Sequence, residues 1–240
     1  MDRVTTSESL DWDLAVRSVR ELNQFLHDLP ADIAGDSTAI PRIRVHNPDG
    51  RHSIAVGLRV PAEIEILGDG GYFLGGLNQE ARITVEGNVG WSVAENQMSG
   101  SVRVRGSASE CAGASAHGGL LVIEGDASSR CGISLKGGEI VVGGDVGHMS
   151  AFMAQAGTLV ICGDAGPALG DSLYEAVIYV RGTLQGLGAD AREEPMQPSD
   201  VARVASLLDR ARFDHDPRSF KRIGSARNLY HWHVDHATAY

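Results

Sequence analysis

Leu121-Val122-Ile123-Glu124-Gly125-Asp126 returns nineteen residues later as Ile140-Val141-Val142-Gly143-Gly144-Asp145, and nineteen later again as Leu159-Val160-Ile161-Cys162-Gly163-Asp164. The period extends in both directions. Glycines stand at 68, 87, 106, 125, 144, 163 and 182. Two residues before them lie Ile66, Val85, Val104, Ile123, Val142, Ile161 and Val180, and four before them Ile64, Ile83, Val102, Leu121, Ile140, Leu159 and Ile178. Further columns of small residues run in step: Gly75, Ala94, Gly113, Gly132, Ala151 and Gly170, and Gly71, Gly90, Ser109, Ser128, Gly147 and Gly166.

Residues two apart point to the same side of a strand. A period that never drifts lets each coil stack on the next, with strands about 4.8 Å apart. Like positions then lie above one another as aliphatic ladders inside a tube, and glycine turns the chain at the strand end. These columns predict an all-β chain, a single-stranded right-handed parallel β-helix of about seven 19-residue coils over residues 62–190.

The ends of such a stack expose unpaired backbone and need covers. Residues 1–61 are expected to supply a helix and a hairpin. Ala15, Val19, Leu22, Leu26 and Leu29 mark an amphipathic helix over 9–29, with Ser9 or Asp11 as cap and Pro30 as its end. Strands Arg42–Val45 and Ser53–Val56 are expected to flank the turn Asn47-Pro48-Asp49-Gly50. At the other end, 191–198 reads as a linker and 199–212 as a helix with Val201, Val204, Leu207 and Leu208 on one face. Residues 213–240 read as an irregular docking tail, so that 191–240 forms the last segment.

Composition narrows the function. Of 240 residues 30 are glycine, or 12.5%, against a usual share of about 7%. With 21 basic and 31 acidic residues the net charge is −10, which argues against a nucleic-acid partner. No apolar run is long enough to span a bilayer, and the N-terminal residues lack the order of a signal peptide. Three cysteines, Cys111, Cys131 and Cys162, fit reduced thiols in a cytoplasm and buried hydrophobes better than a nucleophile or a metal site.

Gly68-Asp69-Gly70-Gly71, Gly144-Asp145-Val146-Gly147 and Gly163-Asp164-Ala165-Gly166 look like phosphate loops, but each is followed by a strand and not a helix, so solenoid turns are expected. His231, His233 and His236, with Asp235, could hold a metal if arranged tetrahedrally, yet no cysteine or second histidine cluster supports them. A docking tail with Tyr230, Trp232 and Tyr240 is the expected reading. Glu63, Glu86, Glu124 and Glu139 are scattered and expected on a solvated outer face. Met149, Met153, His148, Phe152 and Gln155, beside Arg130 and Lys136, form the most chemically mixed surface of the coils. No catalytic, cofactor-binding or metal residue is assigned.

The strings Gly125-Asp126-Ala127-Ser128-Ser129-Arg130-Cys131-Gly132, Lys136-Gly137-Gly138, Gly144-Asp145-Val146-Gly147 and Cys162-Gly163-Asp164-Ala165-Gly166 resemble the GXGXG domain. That domain forms the C-terminal β-helix of the glutamate synthase large subunit, and the same fold recurs in the scaffold chain of formylmethanofuran dehydrogenase. Val19-Arg20-Glu21-Leu22-Asn23 and Gly224-Ser225-Ala226-Arg227-Asn228-Leu229-Tyr230 resemble the stand-alone GlxC-like proteins, which include the middle subunit of N-methylglutamate synthase. The resemblance implies a non-catalytic subunit of an amidotransferase/oxidoreductase complex. Its partners would be a class II glutaminase-like chain and an FMN-dependent glutamate-synthase-like chain, in a hetero-oligomer where ammonia or an amine passes between them. FMN, with or without an iron–sulfur cluster, would belong to the partner. Two alternatives stand beside it: the scaffold chain of formylmethanofuran dehydrogenase, and an autonomous β-helix enzyme acting on polysaccharide or acyl groups.

Overall fold

Each coil places two aliphatic side chains inward from its strand, and stacking those pairs builds the core. A computed structural model of the chain, which describes residues 9–30 and 40–227, contains the expected solenoid. Its strands are β1 (Leu10–Asp13), β2 (Arg42–His46), β3 (Glu63–Leu67), β4 (Arg82–Val85), β5 (Ser101–Val104), β6 (Leu120–Ile123), β7 (Lys136–Val142), β8 (Ala156–Ile161), β9 (Val177–Val180), β10 (Ala191–Glu194) and β11 (Lys221–Ser225). They form one sheet in the order β1-β2-β3-β4-β5-β6-β7-β8-β9-β11-β10, parallel from β1 to β9 and antiparallel in the last two pairings. Ile64 faces Ile83, Ile83 faces Val102, and so on in unbroken register to Ile178, with every ladder residue buried.

The wall opposite the sheet is a ribbon in which every second residue has positive φ. In successive coils these are Phe73, Gly75 and Leu77, then Ser92, Ala94 and Asn96, continuing to Ala168, Gly170 and Ser172. The middle residue faces inward, so it must be small. A Cβ on Gly113 would lie 2.5 Å from Ile140 Cδ1, although alanine fits at 94 and 151. The flanking residues include Phe73, Arg130 and Met149, for which the left-handed conformation costs roughly 1–2 kcal/mol each. Hydrogen bonds between coils offset that cost: Phe73 N–H donates to Trp91 C=O at 2.7 Å, Gly75 N–H to Ile54 C=O at 3.0 Å and Leu77 N–H to Glu95 C=O at 2.8 Å.

The N-terminal end departs from expectation in two ways. The helix α1 spans only Val19–His27, capped by Ser18 through a capping box with Glu21, while residues 10–13 form β1 on the sheet edge. Nor do residues 42–56 form the expected hairpin. Ser53 and Ala55 have positive φ and belong to the ribbon, and β2 pairs in parallel with β3. Asn47-Pro48-Asp49-Gly50 is an enlarged corner of the first coil. Val45 faces Ile66 twenty-one residues on, the inward Ala55 corresponds to Gly75 twenty on, and Ile64 faces Ile83 nineteen on. One extra residue thus sits in each of two corners.

Helix α1 closes this end with its side chains. Asn23 Nδ2 donates to Ser53 C=O at 2.8 Å and Asn23 Oδ1 accepts from Ala55 N–H at 2.9 Å. Gly75 N–H bonds the previous coil's backbone in the same way, so one carboxamide stands in for a missing coil. Leu22 and Leu26 are fully buried beneath it. Replacing Asn23 with leucine strands the Ala55 N–H, at a cost of roughly 1–3 kcal/mol. Hydrogen exchange at the Ala55 amide should accelerate while exchange in β6–β8 stays unchanged.

At the other end the 191–198 segment contains β10, and the stretch after 213, expected to be irregular, holds a 3-10 turn at Pro217–Ser219 and then β11. β11 turns back antiparallel onto β9 and leaves the last parallel strand paired on both sides. Helix α2 (Pro198–Ala211) lies across the outer face of β6–β9, burying Val204, Leu207 and Leu208 against Leu120, Val122, Val141, Val160 and Tyr179.

Candidate interaction surfaces

The Gly-Asp strings are corners, and their polar groups are already used. Asn88 N–H donates to Asp69 Oδ1 at 2.7 Å, Ser107 N–H to Asn88 Oδ1 at 2.9 Å and Asp126 N–H to Ser107 Oγ at 3.1 Å. Asp145, Asp164 and Thr183 continue the column at 2.8, 2.7 and 2.7 Å. The preceding glycine donates to the glycine one coil back, as Gly144 N–H does to Gly125 C=O at 3.0 Å. A phosphate cradle needs free N–H donors, and the corners at 144–147 and 163–166 have spent theirs between coils. Glycine is required here by close approach, since a Cβ on Gly144 would fall 2.0 Å from Asp126 Oδ1.

Glu63, Glu86, Glu124 and Glu139 lie along the outer face of the sheet in three separate groups of ion pairs. Glu63 meets Arg42 at 2.8 Å and Arg82 at 3.3 Å. Glu124 meets Arg103 at 2.8 Å and Arg105 at 2.7 Å, and Glu86 lies 3.7 Å from Arg105. Glu139 pairs with Arg210 of α2 at 2.5 Å. Along β2–β5 this face forms an open groove of about 610 Å³. Each of these acids has a guanidinium partner.

A second polar cluster fixes α2 to the sheet. Tyr179 O–H, buried to 1% exposure, donates to Asp200 Oδ1 at 2.6 Å. Asp200 Oδ2 accepts from Gln197 N–H at 2.8 Å, and Arg222 reaches both Asp200, at 3.3 Å, and Glu194. Burial, and then the Asp200 bond, push the Tyr179 hydroxyl well above its ordinary pKa. A phenol held neutral and donating inward is a fastener, not a base.

The cysteines lie apart from any histidine–acid pair. Burial pushes the Cys131 thiol up to about 12 and the Cys162 thiol up to about 11, so neither supplies a thiolate near neutral pH. Cys111 is half-buried on the ribbon and also raised, first by burial and then by Glu110. In dilute solution at pH 8, one thiol of the folded protein should react with a small disulfide reagent, and three after denaturation. Three fast-reacting thiols in the native state would contradict the burial.

Exposed apolar groups concentrate on the outer side of the ribbon. His148, Met149, Phe152 and Met153 share one coil there, Arg130 precedes Met149 in its column, and Lys136 and Gln155 share a column at the corner. Tyr72 and Trp91, nineteen apart, were not singled out from the sequence. They are 50% and 62% exposed in one column, with the His52 ring tilted against Tyr72 at 4.2 Å between ring centroids. The nineteen-residue offset was the signal that would have found them. Gathered aromatics and methionines on a surface are typical of protein-binding patches.

His231, His233, His236 and Asp235 lie outside the described residues. Among those described, no group of three or more metal-ligating side chains is found, and no helix is long and apolar enough to cross a membrane. The chain is 50% identical to protein GlxC of Rhizobium meliloti (strain 1021) over 229 residues, 95% of this chain and 98% of that protein. No family model matches the sequence, and no solved structure matches it.

Proposed function

The chain belongs to the GlxC family, and from that premise we propose that it is a non-catalytic structural subunit of a glutamate-synthase-like complex, with N-methylglutamate synthase as the specific assignment. The observation that carries this reading is how the polar groups of the solenoid are spent. The corner N–H groups, the outer-face carboxylates and the buried tyrosine are all engaged in holding coils and helix together. What remains available is surface, including Trp91, Tyr72 and Met153.

In this reading residues 62–190 are the spacer, and 1–61 and 191–240 are its covers and docking segments. The rod holds a class II glutaminase-like chain and an FMN-dependent glutamate-synthase-like chain in register, so that ammonia or an amine passes between their active sites without loss to solvent. Rigid placement of two reacting centres is itself a catalytic contribution, since a misplacement of 1 Å can cost about 100-fold in rate. The flavin belongs to the partner, and the assembly works in the cytoplasm.

The test is to recover the tagged chain from its native cells and compare it with the chain expressed alone. The recovered complex is expected to show flavin absorbance, a glutaminase-like chain and glutamine- or amine-dependent glutamate chemistry, with none in the isolated chain. Turnover by the chain alone would overturn the proposal. So would recovery with a metal-containing one-carbon enzyme in place of a flavoprotein.

A further inference from the structure

The outer side of the left-handed ribbon is a long face that no described element covers, and its residues repeat with a symmetry of their own. Phe73 and Met149 occupy one column, four coils apart, and Cys111 lies midway, two coils from each. Leu77 and Met153 occupy the next outward column, also four coils apart, with Ser115 midway. Between them, Phe152 stands in the column of Gly76, and the Phe73 ring lies across Gly76, 2.8 Å from where its Cβ would be. The midway coil is small-sided, so two such faces can approach closely at that point.

We propose that this face is the interface of a homodimer, in which two copies pack ribbon to ribbon and antiparallel about a two-fold axis at the coil containing Cys111 and Ser115. A rotation about an axis in the face and across the solenoid keeps columns facing columns and reverses the order of coils. Phe73 then meets Met149 of the second copy, Leu77 meets Met153, and Phe152 reaches the Phe73 ring over Gly76. These are aromatic–thioether and aliphatic contacts, each made twice because the interface is isologous.

Charge agrees with this register. The two Glu110 side chains meet near the axis and would repel one another alone. Arg130 is one coil and one column away, exposed, and like Glu110 takes part in no ion pair among the described residues. Across the axis, each Glu110 falls within side-chain reach of Arg130 of the second copy. A parallel arrangement, about an axis along the solenoid, would set Phe73 on Leu77 and Met149 on Met153 of the second copy, and would lose the contact between the aromatic and the thioether.

Size sets the strength. Five coils of about 4.8 Å, from that of Phe73 to that of Met149, and a ribbon about 16 Å wide give an area on the order of 380 Å² per copy. A standard interface buries about 800 Å² per partner, so this smaller contact makes a weak, reversible dimer.

Sedimentation of the full-length chain over a micromolar range should show a concentration-dependent rise from 25.4 kDa toward twice that mass. Met153→Asp is expected to return it to monomer with an unchanged thermal midpoint, because aspartate tolerates the φ of +54° at that position. A short bis-maleimide should link two wild-type chains through Cys111, and Cys111→Ser should abolish the link. A monomer at every concentration overturns the proposal, as does a dimer that survives Met153→Asp. A dimer that Met153→Asp dissolves but Cys111 never links overturns the antiparallel register and the proposal with it. A monomer that still co-purifies with a flavoprotein would remove the dimer and leave the scaffold assignment in place.

Discussion

Asp200→Ala should lower the unfolding free energy by about 3 kcal/mol, measured by chemical denaturation, and should release helix α2 from the sheet before the solenoid unfolds. The magnitude follows from what the substitution strands. The Tyr179 hydroxyl is left buried without a partner, Arg222 loses one of its two carboxylates, and the Gln197 N–H at the start of α2 loses its acceptor. An unsatisfied buried group costs roughly 1–3 kcal/mol, and breaking a buried ion pair from one side about 3–5 kcal/mol. Arg222 keeps Glu194, which holds the total toward the lower end.

A second substitution separates this explanation from simple loss of packing. Tyr179→Phe removes the hydroxyl that needs Asp200, so the double variant should be less destabilised than the sum of the two singles. Residues in one network couple by about 0.5–3 kcal/mol. Strict additivity would mean that the 2.6 Å bond contributes nothing and that α2 is held by Val204, Leu207 and Leu208 alone.

How much of this could be read beforehand depended on whether the information was periodic. The inward ladders were fully legible because both apolar columns recur without a gap from Ile64 to Ile178, and two-residue spacing has one structural meaning. The docking site of α2 was also present in the sequence, though less openly. Glu63–Leu67 reads EIEIL, with charged outward positions, whereas Leu120–Ile123 reads LLVI, apolar on both faces. A strand apolar on both sides needs a cover on both sides, and the apolar face of residues 199–212 was the matching cover.

Other parts were hidden for physical reasons. The left-handed ribbon places Phe73, Arg130 and Met149 at positive φ, against their intrinsic preference, because hydrogen bonds to neighbouring coils outweigh the local cost. Asn47-Pro48-Asp49-Gly50 is strong turn chemistry, but a turn motif does not say whether the chain reverses or only rounds a corner, and here β2 pairs in parallel with β3. Residues 10–13 follow the helical apolar spacing only loosely, and pairing with β2 takes them into the sheet. Asn23 looked like one more polar residue on a helix, and its role exists only where the first coil lacks a neighbour.

The equal length of the coils can be tested by cutting one out. Removing residues 69–87, nineteen in all, joins Gly68 to Asn88 and leaves β3 to pair with β5, with Ile64 on Val102, Ile66 on Val104 and Glu65 opposite Arg103. Removing residues 69–86 leaves one residue more, and a one-residue slip moves each inward side chain of the following coils to the outer face unless the corner absorbs it. Thermal unfolding followed by far-ultraviolet circular dichroism should show a cooperative transition with strand signal for the nineteen-residue deletion. The eighteen-residue deletion should lose cooperativity or lower the midpoint by about 10 °C or more, on the order of 3 kcal/mol for a domain of this size. Failure of the nineteen-residue deletion to give a cooperative transition with strand signal would contradict a solenoid held together by stacked, exchangeable coils.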